Sequence, residues 1–286
     1  MNLRQPKTED IQETGKIIYE AFRSIGEKHN FPIDFPTVEA GVGMAELVIN
    51  DPKIYGVIAE EKGRIIGSNF LWEHDEIAGV GPITIAPDLQ SNGVGRKLME
   101  DVIEHGKNAA GIRLVQAAFN STSMSLYTSL GFEIVEPLVL IEGSPKEFDP
   151  ENDVRVRAIE EKDFEETAAL CRKIHGIDRK NEVKQTAGQF QSFVAVRGDR
   201  IVGYITAPDM WQLNHAVAET TDDMKSVLSG AARLSERPLS FLLPTRQAEL
   251  FRWCLIKGMR VIQPLSLMAR GFYQEPKGSF LPSVLY

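Results

Sequence analysis

Cysteine is scarce in this chain. Its 286 residues include two, Cys171 and Cys254, at no metal-like spacing, which excludes a disulfide framework and points to a reducing cytosol. The five histidines are scattered, with no HExxH and no paired-ligand pattern, so no metal is expected. No run of about eighteen apolar residues occurs, so no membrane span is expected. The first residues, MNLRQPKTEDIQETGK, are polar and lack the apolar stretch of a secretory signal. No Lys/Arg cluster offers the basic face that a sequence-independent nucleic-acid binder needs, and the net charge is −8. These absences leave a cytoplasmic globular protein without nucleic-acid, membrane or metal partners. With 43% hydrophobic and 25% charged residues, either half is long enough to bury a core.

The first half alternates between two periodicities. A strand around Leu3–Arg4 precedes a helix carrying Ile11, Ile17, Ile18, Ala21 and Phe22 at helical spacing. The stretch from Ser24 to Pro36, with Gly26, Pro32 and Pro36, reads as irregular, and a second helix covers Val38 to Ile49. A hairpin follows, Ile54–Glu60 and Arg64–Trp72 around Glu61-Lys62-Gly63. Gly79–Pro87 reads as a further strand, and a glycine-rich turn then opens a helix with Val94, Leu98, Val102 and Ile103 on its apolar side. A strand at Leu114–Ala118, a helix at Ser123–Leu130 and a strand at Phe132–Glu142 complete the order β-α-α-β-β-β-α-β-α-β. Strands and helices alternating in this order give an α/β fold class.

Residues 144–153 are polar, carry two prolines and read as a linker. The pattern then restarts. Arg157…Asp163-Phe164 echoes Arg4…Asp10-Ile11, and Arg200-Ile-Val-Gly203 echoes Arg64-Ile-Ile-Gly67. Gly258 and Pro264 stand 127 positions after Gly131 and Pro137. Three echoes in the same order indicate two copies of one domain, residues 1–143 and 154–286.

The stretch richest in chemistry is Ile83-Thr84-Ile85-Ala86-Pro87-Asp88-Leu89-Gln90-Ser91-Asn92-Gly93-Val94-Gly95-Arg96-Lys97. A strand runs into a glycine-containing turn that opens a helix. The first amides of a helix have no intrahelical partner and, with the helix dipole, suit phosphate oxygens. Gly93 and Gly95 let the backbone approach a pyrophosphate, and Arg96 and Lys97 add positive charge. The same turn also suits close packing of helix on strand. A nucleotide-binding turn is disfavoured, because neither GKS/GKT nor GxGxxG is present. Some thirty residues on stands Asn120-Ser-Thr-Ser-Met-Ser-Leu126-Tyr127-Thr-Ser-Leu-Gly131-Phe132.

The pairing of QxxGxG with N…LYxxxGF resembles the GNAT superfamily of N-acetyltransferases. The resemblance covers residues 2–142 well, and residues 154–275 share the pattern without the cofactor motif. It implies that acetyl-CoA is the co-substrate, with its pyrophosphate on Gln90, Ser91, Asn92, Gly93, Val94, Gly95 and Arg96. It implies two tandem α/β domains, each a mixed sheet flanked by helices, and a parting of strands after Ile83–Ala86, where the pantetheine inserts, with amides of Ile83, Thr84 and Ile85 near the thioester carbonyl. Asn120 and Tyr127 approach the pantetheine and the sulfur, with Tyr127 as acid for the leaving thiolate.

A general base is harder to read. Glu73, His74, Asp75 and Glu76 gather where the third strand ends, and Glu73 is the candidate, although many relatives use ordered water. The loop Ile25–Pro36, with His29, Phe31 and Phe35, is expected to line the acceptor pocket. The expected activity is direct acetyl transfer to a small-molecule or peptide amine in a ternary complex, since no cysteine lies near the motif to carry the acyl group. A non-catalytic acyl-CoA-binding or sensing protein is the alternative.

The second copy lacks the pyrophosphate loop. In its place stands Glu219-Thr-Thr-Asp222-Asp223-Met224, whose carboxylates would repel a pyrophosphate. Gln247 and Cys254 take the places of Asn120 and Tyr127. Completing the substrate cleft, forming a homodimer and stabilising the first copy all remain open as its role. The apolar tail, Gly278–Tyr286, is expected to dock in a groove, and a terminal carboxylate acting as base at Tyr286 is a further reading.

Overall fold

The computed structural model describes residues 1–89, 93–146 and 153–285. The chain divides into two compact units. Unit 1 comprises residues 1–114 and 119–133, and unit 2 comprises 115–118 and 134–286. Among the described residues no helix is long and apolar enough to cross a membrane.

Unit 1 carries β1 (Asn2–Arg4), α1 (Ile11–His29), α2 (Val38–Asn50), β2 (Ile54–Glu61), β3 (Arg64–Trp72), β4 (Ile77–Val80), β5 (Thr84–Ile85), α3 (Val94–His105), the start of β6 (Gly111–Ala117), and α4 (Ser121–Ser129). Its sheet runs β1-β2-β3-β4-β6, with β5 on β3. All pairings are antiparallel except β4 with β6. Helices α1 and α2 cross backbone to backbone, since a Cβ on Gly15 would stand 2.4 Å from the Val42 Cα.

Two expectations need correcting here. Helix α1 does not stop at Ser24. It runs on through Gly26 to His29 and ends on Asn30 in the left-handed region, φ 57°. A buried glycine costs a helix only about 1 kcal/mol relative to alanine, so the buried face of α1 carries the helix past it. The strand expected over Gly79–Pro87 is two strands, β4 and β5, with Gly81-Pro82-Ile83 between them.

Unit 2 carries β7 (Glu133–Gly143), β8 (Val154–Ala158), α5 (Phe164–His175), α6 (Lys180–Gln189), β9 (Ser192–Arg197), β10 (Arg200–Thr206), β11 (Ala216–Ala218), α7 (Thr221–Leu234), β12 (Leu239–Pro244), α8 (Ala248–Ile256), β13 (Arg260–Gly271) and β14 (Ser279–Leu281). One sheet is ordered β14-β11-β10-β9-β8, and β13, β7 and β12 are neighbours in the other. Strand β7, written in the first repeat, thus lies between two strands written in the second. It pairs antiparallel with β12 from Leu138↔Pro244 to Gly143↔Leu239. Its inward residue Ile141 joins Phe241, Leu243, Leu250 and Trp253 in the larger core.

The echoed residues make matching contacts in the two halves. Arg4 forks onto Asp10 at 2.8 and 2.9 Å, and Arg157 forks onto Asp163 at 2.6 and 2.8 Å. Each aspartate also accepts a backbone amide three residues back, from Lys7 at 2.7 Å and from Glu160 at 2.8 Å. The Ile65 amide reaches Glu13 as the Ile201 amide reaches Glu166, at 3.1 and 2.7 Å.

Candidate functional site

The pairing of β4 with β6 is described from Ile77↔Gly111 to Gly79↔Arg113. Beyond it, β5 pairs with β3, Ser68↔Thr84 and Gly67↔Ile85. The strands therefore part before Ile83, not after Ile83–Ala86, because Gly81-Pro82 interrupts the strand. Trp72 pins that break by donating Nε1–H to the Gly81 carbonyl at 2.7 Å.

Backbone alternation then sorts the amides. The Ala86 N–H donates to the Ile66 carbonyl at 2.9 Å, so with the same register Thr84 exchanges bonds with Ser68 and turns its amide to β3. The amides of Ile83 and Ile85 point the other way. Of the three residues expected to face the thioester, two turn their amides away from β3 and Thr84 does not. The Thr84 hydroxyl is itself buried against Ser68 Oγ at 3.1 Å.

Helix α3 opens beside β5. Gly93 is its N-cap, left-handed at φ 79° with no side-chain cap, and a Cβ there would meet nothing within 4 Å. Left-handed backbone favours glycine, and the first amides of a helix have no partner within the helix. Val94 is buried. Gly95 serves packing: a Cβ would stand 2.9 Å from Ile85 Cδ1 and 3.5 Å from Leu126 Cδ2, so α3, β5 and α4 converge on it. Arg96 bonds Ser129 Oγ at 2.7 Å, tying α3 to α4, and lies near Glu100 at 3.8 Å. Gln90, Ser91 and Asn92 lie outside the described residues.

Asn120 caps α4, its Oδ1 accepting the Ser123 amide at 3.2 Å. Tyr127, two turns on, is buried, and its ring meets that of Phe132 edge-on at 6.4 Å. Burial raises the Tyr127 phenol well above its ordinary pKa, so the group stays a neutral O–H donor.

Glu73 is not part of this assembly. It pairs with His105 at the far end of α3, 3.1 Å away, and His105 stacks on Tyr55 at 3.7 Å. Glu73 follows the end of β3, five positions past Ser68, about 17 Å at strand rise. Alternation assigns a face but not a position along the strand, which is why the sequence could not place it. His74 pairs with Asp51 at 3.2 Å.

Of the loop aromatics, Phe31 stacks on Phe119 at 4.2 Å and His29 tilts against the same ring at 5.2 Å. Phe35 is instead a core residue, edge-on to Phe22 at 5.0 Å. The sequence reading missed Phe119, although it stands next to Asn120.

The second repeat differs at each corresponding point. The start of α7 is capped by Thr220, whose hydroxyl accepts the Asp223 amide at 3.1 Å and donates to its carboxylate at 2.7 Å. Asp223 is buried and paired with Arg197 at 2.7 Å. The tail forms β14 on β11, from Ala218↔Ser279 to Ala216↔Leu281. Gln247, in the place of Asn120, donates Nε2–H to the Phe280 carbonyl at 2.6 Å and accepts the Phe280 amide at 3.2 Å and the Ser279 hydroxyl at 2.7 Å. Cys254, in the place of Tyr127, is buried. Tyr286 lies outside the described residues.

The acetyltransferase (GNAT) family matches residues 17–132. The UPF0157 protein YqkA of Bacillus subtilis is 30% identical over 83 residues, 29% of this chain and 24% of that protein, so the match spans about a quarter of that relative. A solved structure from Pyrococcus horikoshii, described as a candidate acetyltransferase, aligns over 100% of this chain and 94% of its own, with TM-score 0.75 and 16% identity. A GCN5-related N-acetyltransferase from Sphaerobacter thermophilus aligns over 96% of each chain at TM-score 0.60 and 15% identity. A tandem GNAT protein from the clavulanic acid biosynthesis pathway aligns over 94% of this chain and 97% of its own at 0.58 and 11%. Residues 17–132 thus match the acetyltransferase (GNAT) family, in a chain that shares the fold of a tandem GNAT protein.

Proposed function

We propose that the first repeat binds acetyl-CoA and transfers its acetyl group directly to an amine. The observation that carries this reading is the parted strand: β5 stays on β3 while the Ile83 and Ile85 amides face away from it. A thioester carbonyl placed there would meet a fixed backbone donor as negative charge builds on its oxygen. The start of α3, with Gly93 as a left-handed cap, suits the pyrophosphate, with Arg96 beside it.

The chemistry asked of this chain is modest. The amine nitrogen attacks the thioester carbon, and one of the two outward amides, Ile83 or Ile85, holds the oxyanion while the other is left for the pantetheine arm. The C–S bond then breaks, and the departing sulfur takes a proton from Tyr127, whose hydroxyl is kept neutral by burial. The surplus proton of the amine passes to water, which also reprotonates Tyr127. Glu73 stands too far along β3 to serve as base. His29, Phe31 and Phe119 form an aromatic patch next to Asn120 that suits the apolar portion of a small-molecule or peptide amine.

The second repeat takes no CoA in this reading, because Thr220 and Asp223 close the start of α7 and the tail occupies Gln247. A cytosolic setting is supported by both cysteines being free thiols. Release of free thiol from acetyl-CoA across a panel of amines tests the activity. Tight acetyl-CoA binding with no thiol release from any amine would favour the non-catalytic acyl-CoA-binding reading.

A further inference from the structure

Outside the acetyltransferase site, unit 2 buries a cluster that the sequence gives little reason to expect. Cys171 and His175 stand one helical turn apart on α5, so they share a face. His215 immediately precedes β11. The ligand-type atoms of the three residues all lie within 4.8 Å of one another, and all three residues are buried. The Cys171-x-x-x-His175 step was legible in the sequence. Its meeting with His215, forty residues later, required the fold.

One side of the cluster is aliphatic: Leu170, Ile174, Val183, Val194, Ile201 and Val217 belong to the same core as Cys171 and Tyr204. Polar groups are costly in such a place unless their lone pairs and protons are engaged. Tyr204, also fully buried, brings its hydroxyl to 2.9 Å from His215 Nε2. Phe280 of β14 closes the cluster, its ring edge-on to His175 at 5.2 Å.

We propose that Cys171, His175 and His215, with the Tyr204 oxygen as fourth donor, form a closed structural site for one zinc-type divalent ion. One thiolate and two neutral imidazoles are a donor set that zinc takes, at about 2.3 Å to sulfur and 2.0–2.1 Å to nitrogen. Tetrahedral bonds of those lengths put donor atoms about 3.5 Å apart, which side-chain adjustment reaches from the present spacing. Arg179 stands nearby but is paired with Glu182, and both reach Ser283 at 3.2 Å, so the pair adds little net charge against a cation. Binding would release the Cys171 proton. Such an ion would join α5, β10 and the residue before β11 under the tail strand. This goes beyond the acetyl transfer proposed above, and neither depends on the other.

Cobalt(II) is the probe, because its thiolate complexes absorb visibly and zinc displaces it. The full chain, without a histidine tag, is unfolded with chelator and refolded with cobalt(II), so that ions reach the closed site. The expected result is a thiolate-to-cobalt charge-transfer band at one ion per chain, bleached by zinc, with a raised unfolding midpoint. The chain has two cysteines, so Cys254→Ala must keep the band and Cys171→Ala must lose it. No band in the refolded wild-type chain overturns the proposal. So does a band that disappears in folded Cys254→Ala, or one that persists in Cys171→Ala. Should Cys171→Ala fail to fold, the wild-type and Cys254→Ala spectra decide the matter alone.

Discussion

Gln247 grips the Phe280 peptide from both sides, donating to its carbonyl at 2.6 Å and accepting its amide at 3.2 Å. One side-chain amide thereby satisfies both backbone groups of a fully buried residue. Its counterpart by the repeat, Asn120, spends Oδ1 on capping its own helix. Gln247→Ala leaves the Phe280 N–H and C=O without these partners, at about 1–3 kcal/mol for each group left unsatisfied. Hydrogen exchange should quicken across residues 279–281. Unchanged protection there would show that pairing with β11 alone holds the tail.

The left-handed cap at the start of α3 gives a second test. Gly93→Glu places a Cβ at positive φ, at about 1–2 kcal/mol, and a carboxylate where the pyrophosphate is proposed to lie. Gly93→Ala carries the strain without the charge. Acetyl-CoA affinity in calorimetric titration should fall on the order of tenfold further for Glu than for Ala, about 1.4 kcal/mol. Equal affinities would remove the phosphate from this helix start. Gly95 is the poorer position to mutate, because its missing Cβ makes room for Ile85.

Stoichiometry follows from the capped start of α7. With Thr220 and Asp223 bonded to each other and Asp223 to Arg197, titration of the full chain should give one CoA per chain. Two equivalent sites would mean that the second repeat opens in solution.

Tyr127→Phe keeps the ring against Phe132 and removes the hydroxyl. If that hydroxyl protonates the leaving thiolate, turnover should fall on the order of 10²–10⁴-fold with acetyl-CoA affinity unchanged. A normal rate with a lowered unfolding midpoint would assign Tyr127 to the core.

The repeated Arg–Asp forks predict a pH dependence. Hydrogen bonds from Arg4 hold the Asp10 carboxyl below its ordinary pKa, and Arg157 does the same for Asp163. A carboxyl depressed in the folded state adds stability that is fully present above its unfolded pKa, near 3.9. That stability is lost as pH falls through the folded value. Asp10→Asn and Asp163→Asn should therefore lower the unfolding midpoint at pH 7 and flatten its decline below about pH 4. Parallel declines in wild type and variants would show that the forks contribute nothing.

The echoes that revealed the repeat were legible because they are local: an arginine and an aspartate six residues apart make the same fork wherever the strand-turn-helix recurs. The order of elements was legible for the same reason, whereas the mixed sheet came from the family resemblance. The break at Gly81-Pro82 was not, because Ile77–Ala86 is apolar enough to read as one strand. Nor was the place of β7, since a strand's periodicity says which face is buried and not which neighbour supplies its hydrogen bonds. Glu73 went astray on the same distinction, and Phe119 was passed over because its partner, Phe31, lies in a distant loop.

The position of β7 also constrains the timetable of synthesis. Its residues leave the ribosome long before either neighbour exists: β12 begins at Leu239 and β13 ends at Gly271. At about 5–20 residues per second the wait is roughly 6–26 seconds. Until β12 is made an eleven-residue strand presents two open edges to the cell, and one thereafter, an invitation to aggregation. Glutamates at positions 133, 136 and 142 stand along that strand, where repulsion between chains would keep it solitary until its partners arrive.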